Sequence, residues 1–237
     1  MRKGGARLQG QVACLAIQVR GWFTVKTNVY VDAFNLYYGC LKQTSYRWLD
    51  LGALAGALLP QHEVHRVRYF TAYVRAIPGD GDGGQPQRQQ LYLRALATLP
   101  NLTIHLGHYL THVTTMPLAE PSGAGARFAQ VVKTEEKGSD VNLATMLLLD
   151  AARQDFEQAL VITNDSDLAF PIQAVRTEYG FPVGVAYPCS RPGRHPSVRL
   201  RQVAMFTRDI REAALRRSQF PAILRDAKGA ITKPPRW

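Results

Sequence analysis

Two short segments of the chain, Val29-Tyr30-Val31 and Leu160-Val161-Ile162, are apolar at every position instead of every second one. A strand with one wet face alternates, whereas a strand that is apolar throughout must be covered on both faces, as in a parallel sheet with helices above and below. Both runs end abruptly on polar residues. Asp32 closes the first, and Thr163-Asn164-Asp165-Ser166-Asp167 closes the second. Open parallel sheets bind ligands outside the carboxyl ends of their strands, so these two endings are the first places to look for chemistry.

The intervening chain fits the same architecture. Residues 28–33 read as a strand, and 48–59 as a helix with Leu51, Leu54, Ala55 and Leu58 on one face before Pro60. Residues 64–74 form a second strand and 87–98 a helix behind the glycine-rich loop 78–85; 102–110 is strand-like. Residues 111–127, with Pro117, Pro121, Gly123 and Gly125, read as an irregular flap over one face. The clearest helix spans 139–153, capped at Gly138 and Ser139 and apolar almost all round, which implies burial. A strand at 159–163, a helix at 166–179 ended by Gly180, and a strand at 182–187 follow. Strands alternating with helices predict an α/β fold, a mostly parallel central sheet in three layers.

Charge is distributed unevenly along the 237 residues. Residues 1–27 carry five Lys/Arg and no acid, and 188–237 carry twelve against three acids, so the total of +11 leaves −3 for residues 28–187. Basic ends around an acidic body suit a polyanion held beside a metal, and they suit solubility as well. The separated cysteines Cys14, Cys40 and Cys189 make neither a disulfide framework nor a zinc ribbon and point to a reducing compartment, the cytoplasm. No run of 18 apolar residues exists to span a membrane. Residues 1–26 read as a loose basic leader, because Gln18 and Arg20 interrupt the apolar stretch a signal peptide needs. Residues 27–220 form the domain and 221–237 a basic C-terminal tail.

An unpaired carboxylate such as Asp32 inside an apolar strand costs several kcal/mol and is normally neutralised or matched by a cation. Asp165 or Asp167 taken alone is better explained as a helix cap than as a ligand, and Asp140 is the acid of a helix's first turn, weak evidence on its own. Should the three clusters converge on one crevice, they would offer the hard oxygen ligands that Mg²⁺ or Mn²⁺ prefers.

Three blocks, Val31-Asp32-Ala33-Phe34-Asn35-Leu36, Lys137-Gly138-Ser139-Asp140-Val141-Asn142-Leu143-Ala144 and Thr163-Asn164-Asp165-Ser166-Asp167-Leu168, resemble the NYN-domain proteins, a LabA-like branch of the PIN-like nuclease superfamily. The resemblance implies a Rossmann-like PIN-type fold and Mg²⁺- or Mn²⁺-dependent cleavage of RNA. It marks Asp32, Asp140, Asp165 and Asp167 as metal-binding acids and Asn35 as a polar partner that orients a ligand or phosphate. It also has Thr163 and Ser166 donate hydrogen bonds to those acids or to the substrate, and places Glu136 and Lys137 either beside the substrate or as solvent-facing charges just before the helix. Arg191 and Arg194, in a basic segment with Arg199 and Arg201, could grip phosphates or form a solvated loop. The expected partner is a nucleic acid, RNA first; pairing with a second copy is left open.

Other features are weaker. His105, His108 and His112 are too spread along a strand to share zinc, and Asp80-Gly81-Asp82-Gly83 lacks the later ligands of a calcium loop. Phe34, Tyr37 and Tyr38 could stack on bases or pack in the core. A non-catalytic RNA- or protein-binding module is the main alternative, though clustered carboxylates would repel its phosphates. A phosphohydrolase would want a second acid two residues after Asp32, where Phe34 stands.

Overall fold

The computed structural model describes residues 24–75, 82–120, 127–188, 193 and 195–237. Six strands make one sheet in the order β3-β2-β1-β6-β7-β8, every neighbouring pair parallel. They are β1 (Val25–Asp32), β2 (His62–Thr71), β3 (Leu102–Leu106), β6 (Gln158–Ile162), β7 (Val183–Tyr187) and β8 (Phe206–Asp209). The remaining strands pair as antiparallel hairpins, β4 (His108–Pro117) with β5 (Phe128–Lys137) and β9 (Ile223–Asp226) with β10 (Gly229–Thr232). The three-layer α/β arrangement expected from the strand pattern is present.

Alternate residues of each central strand feed two separate cores. Val29, Val31, Leu160 and Ile162 pack on one side with α2 (Leu51–Leu58), α3 (Gln85–Leu96) and α7 (Glu212–Arg217). Tyr30, Ala159 and Val161 pack on the other with α4 (Ser139–Ala152), α5 (Ala169–Glu178) and α6 (Val198–Val203). Burial on both faces is why the strands read as unbroken apolar runs. The chain starts α1 (Ala33–Leu36) directly after Asp32 and widens into a π turn, Tyr37–Leu41.

Five expectations need correction. The segment 102–110 is not one strand: Gly107 divides it into β3 and β4, and the stretch expected as an irregular flap begins as a long hairpin arm whose second strand, β5, leaves no signal in the sequence. The period-2 signal is weak there because neither face of the arm is buried: the cross-strand partners Val113 and Val132 are exposed, and the alternate positions of β5 are only half-buried. Helix α4 is buried on one side only. Leu143, Leu147 and Ala151 face the sheet, but Val141 is 68% exposed, because among the described residues no layer covers the helix from outside. The region 166–179 opens as a 3₁₀ turn over Ser166–Leu168 before α5 begins. Residues 221–237, expected as a tail, carry β9 and β10, with Ile231 in the core and the Trp48 indole N–H donating to Pro221 O at 2.8 Å.

Candidate functional site

Adjacent strands β1 and β6 leave the sheet in opposite directions, to β2 and β7, so the crevice beyond their carboxyl ends is the switch point of the sheet. Asp32 is the last residue of β1, and Val31 pairs with Ile162, which places Thr163 directly beside it. The Asp32 side chain is 3% exposed and accepts three hydrogen bonds. Asn35 donates its backbone N–H to Oδ1 at 3.0 Å and its side-chain amide to Oδ2 at 2.6 Å. Thr163 Oγ1 donates to Oδ2 at 2.9 Å. Asn35 therefore orients the acid itself, where the expectation from sequence is a polar partner that orients a ligand or phosphate.

Thr163 also accepts from the Asp165 N–H at 3.1 Å, so one buried hydroxyl ties the acid of β1 to the acid after β6. Asp165 caps the following turn by accepting the Asp167 N–H at 2.9 Å. Capping and ligation are compatible here, since that bond uses Oδ1 and leaves Oδ2 to face a ligand. Ser166 opens the turn between the two aspartates, and Asp167 lies at the solvent edge.

Asp140 arrives from the other side, in the first turn of α4. The sequence places the cap at Gly138 and Ser139. In the structure Gly138 has φ 97° and supplies only the turn, and Glu136 supplies the acceptors: its carboxylate takes Ser139 N at 3.0 Å and Ser139 Oγ at 2.7 Å. A buried ladder then anchors the helix. Asp150 accepts Tyr30 Oη at 2.7 Å and both Arg68 Nε at 2.6 Å and Nη2 at 2.8 Å, joining α4 to β1 and β2. Sequence alone does not mark Asp150 as part of the site, and it marks Glu136 only as an acid before the helix that could equally face solvent, not as the cap of Ser139.

The acids sense one another. Burial pushes the Asp32 carboxyl above the ordinary range, and hydrogen bonds from Asn35 and Thr163 oppose that rise. Asp140 is pushed up to about 6 by burial first, then by the negative charges of Asp32, Asp165, Glu136 and Asp167. Among the described residues none of Asp32, Asp140, Asp165 and Asp167 lies within ion-pair distance of a Lys, Arg or His. Their side chains are not closed on a common point, and no group of three His, Cys, Asp or Glu among the described residues is arranged to hold a metal. The donor chemistry nevertheless fits a hard divalent cation, with oxygen ligands only and mutual repulsion that no protein cation among the described residues offsets.

One expected contact lies elsewhere, and one pair falls outside the described residues. The Lys137 ammonium pairs with Glu135 at 3.2 Å, on the face of β5 opposite to Glu136. Arg191 and Arg194 lie outside the described residues. Asn164, which the sequence shows only as part of a block, holds the end of that basic segment: its amide donates to His195 O at 3.0 Å and its oxygen accepts Ser197 N at 2.7 Å.

Residues 26–207 match the model of the NYN domain. The chain belongs to the NYN family. NYN domains fall within the PIN-like superfamily, in keeping with the parallel sheet and its acid-lined edge. This NYN protein is 30% identical over 245 residues to the 6-hydroxy-3-succinoylpyridine 3-monooxygenase HspA of Pseudomonas putida, an alignment covering 90% of this chain and 75% of the relative. In three dimensions it is similar to a protein of unknown function, VPA0982, from Vibrio parahaemolyticus, with TM-score 0.50 and 17% identity, over 80% of this chain and 94% of that one. No helix among the described residues is long and apolar enough to cross a membrane.

Proposed function

We propose that this NYN protein is a metal-dependent nuclease that hydrolyses phosphodiester bonds, most naturally in RNA. The observation that carries the reading is the gathering of acids at the switch point, Asp32 and Asp165 tied through Thr163 with Asp167 beside them and Asp140 entering on α4, none paired with a protein cation among the described residues. Asp32, Asp140 and Asp165, with Asp167 as a fourth, would hold Mg²⁺ or Mn²⁺. When bound, the ion supplies an acidified water and charge stabilisation for the leaving oxygen. Asn35 and Thr163 fix Asp32 in direction by donating to both of its oxygens, and those bonds oppose the rise that burial imposes on its carboxyl. Asn164 holds His195 and Ser197, just before α6, at the rim, where phosphates would approach. The products would carry 5′-phosphate and 3′-hydroxyl ends.

Labelled single-stranded RNA, structured RNA and single-stranded DNA, incubated with Mn²⁺, Mg²⁺ or EDTA, test the reading. Cutting that needs metal and is lost in Asp32→Asn and Asp165→Asn is the expected result. Full activity in both variants would sink the assignment.

The Pseudomonas putida relative favours a second reading, oxygenation of a hydroxypyridine acid. That reaction would consume dioxygen and a two-electron donor, so oxygen uptake dependent on such a substrate, without RNA cleavage, separates the two.

A further inference from the structure

A cleft of about 300 Å³ lies beside the acids, its wall starting at Ala33 and Phe34, the residues that follow Asp32. Its volume is at the lower end for a small-molecule site. Tyr92 is buried on its inner side, Tyr37 and Trp237 are half-buried, and Tyr38 stands 44% exposed. Tyr37 and Tyr38 meet edge to face at 5.3 Å, and Tyr92 and Trp237 at 5.5 Å. Such walls offer ring faces and edges to a flat guest.

The cations are as informative as the rings. Arg88 is committed to Asp82 through bonds of 2.8 and 2.9 Å. Lys42 and Arg47 line the same cleft and pair with no carboxylate among the described residues. Lys42 is exposed, and its ammonium sits 4.9 Å over the Tyr38 ring, at the margin of the cleft. Among the described residues the lining therefore combines an aromatic interior with two positive charges not balanced by acid, Lys42 and an Arg47 that its guanidinium bonds to Thr44 O and Arg236 O hold in place.

We propose that this cleft binds a planar heteroaromatic ring carrying an anionic group, with the ring among the tyrosines and Trp237 and the anion at Lys42 and Arg47. The site is separate from the carboxylates and does not depend on their holding metal. Two sources share this chemistry: the base and phosphate of a nucleotide, and a free heteroaromatic carboxylic acid.

Calorimetric titration of the full chain with adenosine 5′-monophosphate, adenosine, nicotinate and nicotinamide tests the proposal. Saturable binding of one anion, tighter than that of its uncharged analogue, is expected. Tyr38→Ala should weaken it for anion and analogue alike, and Lys42→Gln for the anion alone, each by roughly tenfold. Both side chains are exposed, and circular dichroism checks that the variants fold. Preference for the nucleotide or for nicotinate identifies the source. No saturable binding, or binding unchanged in both variants, overturns the proposal. Asp165→Asn should keep the affinity, so loss of cutting with binding retained separates this site from the nuclease centre.

Discussion

At the scale of single residues the site is a problem in placing negative charge. The folded protein holds the Asp140 proton more tightly than the unfolded chain does, its carboxyl rising from 3.8 to about 6. The contribution to stability is therefore full below the ordinary aspartate value and drains away as pH rises through the folded one. In EDTA, Asp140→Asn should be more stable than wild type at pH 7 by about 1 kcal/mol, a figure reduced for the residue's partial exposure, and the advantage should vanish near pH 4. Thermal unfolding across that range checks it, and a difference that does not vary with pH would refute the coupling. Saturating Mg²⁺ should raise the wild-type melting temperature more than that of the variant. Thr163 poses the complementary test. Thr163→Val keeps the shape but removes a donor to Asp32 and an acceptor for the Asp165 N–H, at a cost of about 1–3 kcal/mol in urea unfolding and a drop in any cleavage. The acids are legible in the sequence because each interrupts or ends an apolar run or opens a helix. Thr163 is visible there only as a flanking residue, because nothing in a sequence shows that one hydroxyl bridges two strands.

At the scale of elements, the position of Asp140 is set by how α4 begins and by what it rests on. A methyl group on Gly107 would stand 2.3 Å from Glu136 Oε1 and 2.6 Å from Lys137 O, so the β3–β4 junction passes under the helix start with no room for a side chain. Gly107→Ala should cost roughly 1–3 kcal/mol by overpacking and displace the Glu136 cap, lowering cleavage more than its stability loss alone accounts for. The deeper anchor is Arg68 with Asp150, 8% and 1% exposed. Asp150→Ala strands a buried guanidinium and is expected to cost about 3–5 kcal/mol in denaturant unfolding, while Asp150→Leu combined with Arg68→Met should recover most of that. An equal loss in the double variant would show that the pair itself, and not the orphaned charge, carries the stability. Strand and helix order can be read from apolar periodicity. The β4–β5 arm cannot, because a hairpin with neither face buried has no hydrophobic register, and neither can Asp150, which looks in sequence like the polar face of a helix.

Across the whole molecule, the acidic body and basic C-terminal region follow from the sequence, but their relation in space does not. Asn164 ties the end of the basic segment to the strand end that carries Asp165, and α6 then packs against the turn bearing Ser166 and Asp167. Exposed Arg199 and Arg201 on α6 are thus held near the acids by neutral bonds, without ion-pairing to them. Positive charge kept off the carboxylates leaves them free for a cation and leaves the arginines free for phosphate. If the arginines serve that purpose, binding of single-stranded RNA to the Asp165→Asn protein should weaken with salt as counterions are released. Replacing both Arg199 and Arg201 by Ala should then lower the log–log salt slope by about 0.7 for each phosphate no longer neutralised. A weaker affinity with an unchanged slope would mean that α6 matters through packing. An unchanged affinity would make these arginines a solvated face and move the phosphate grip to another part of the basic C-terminal region.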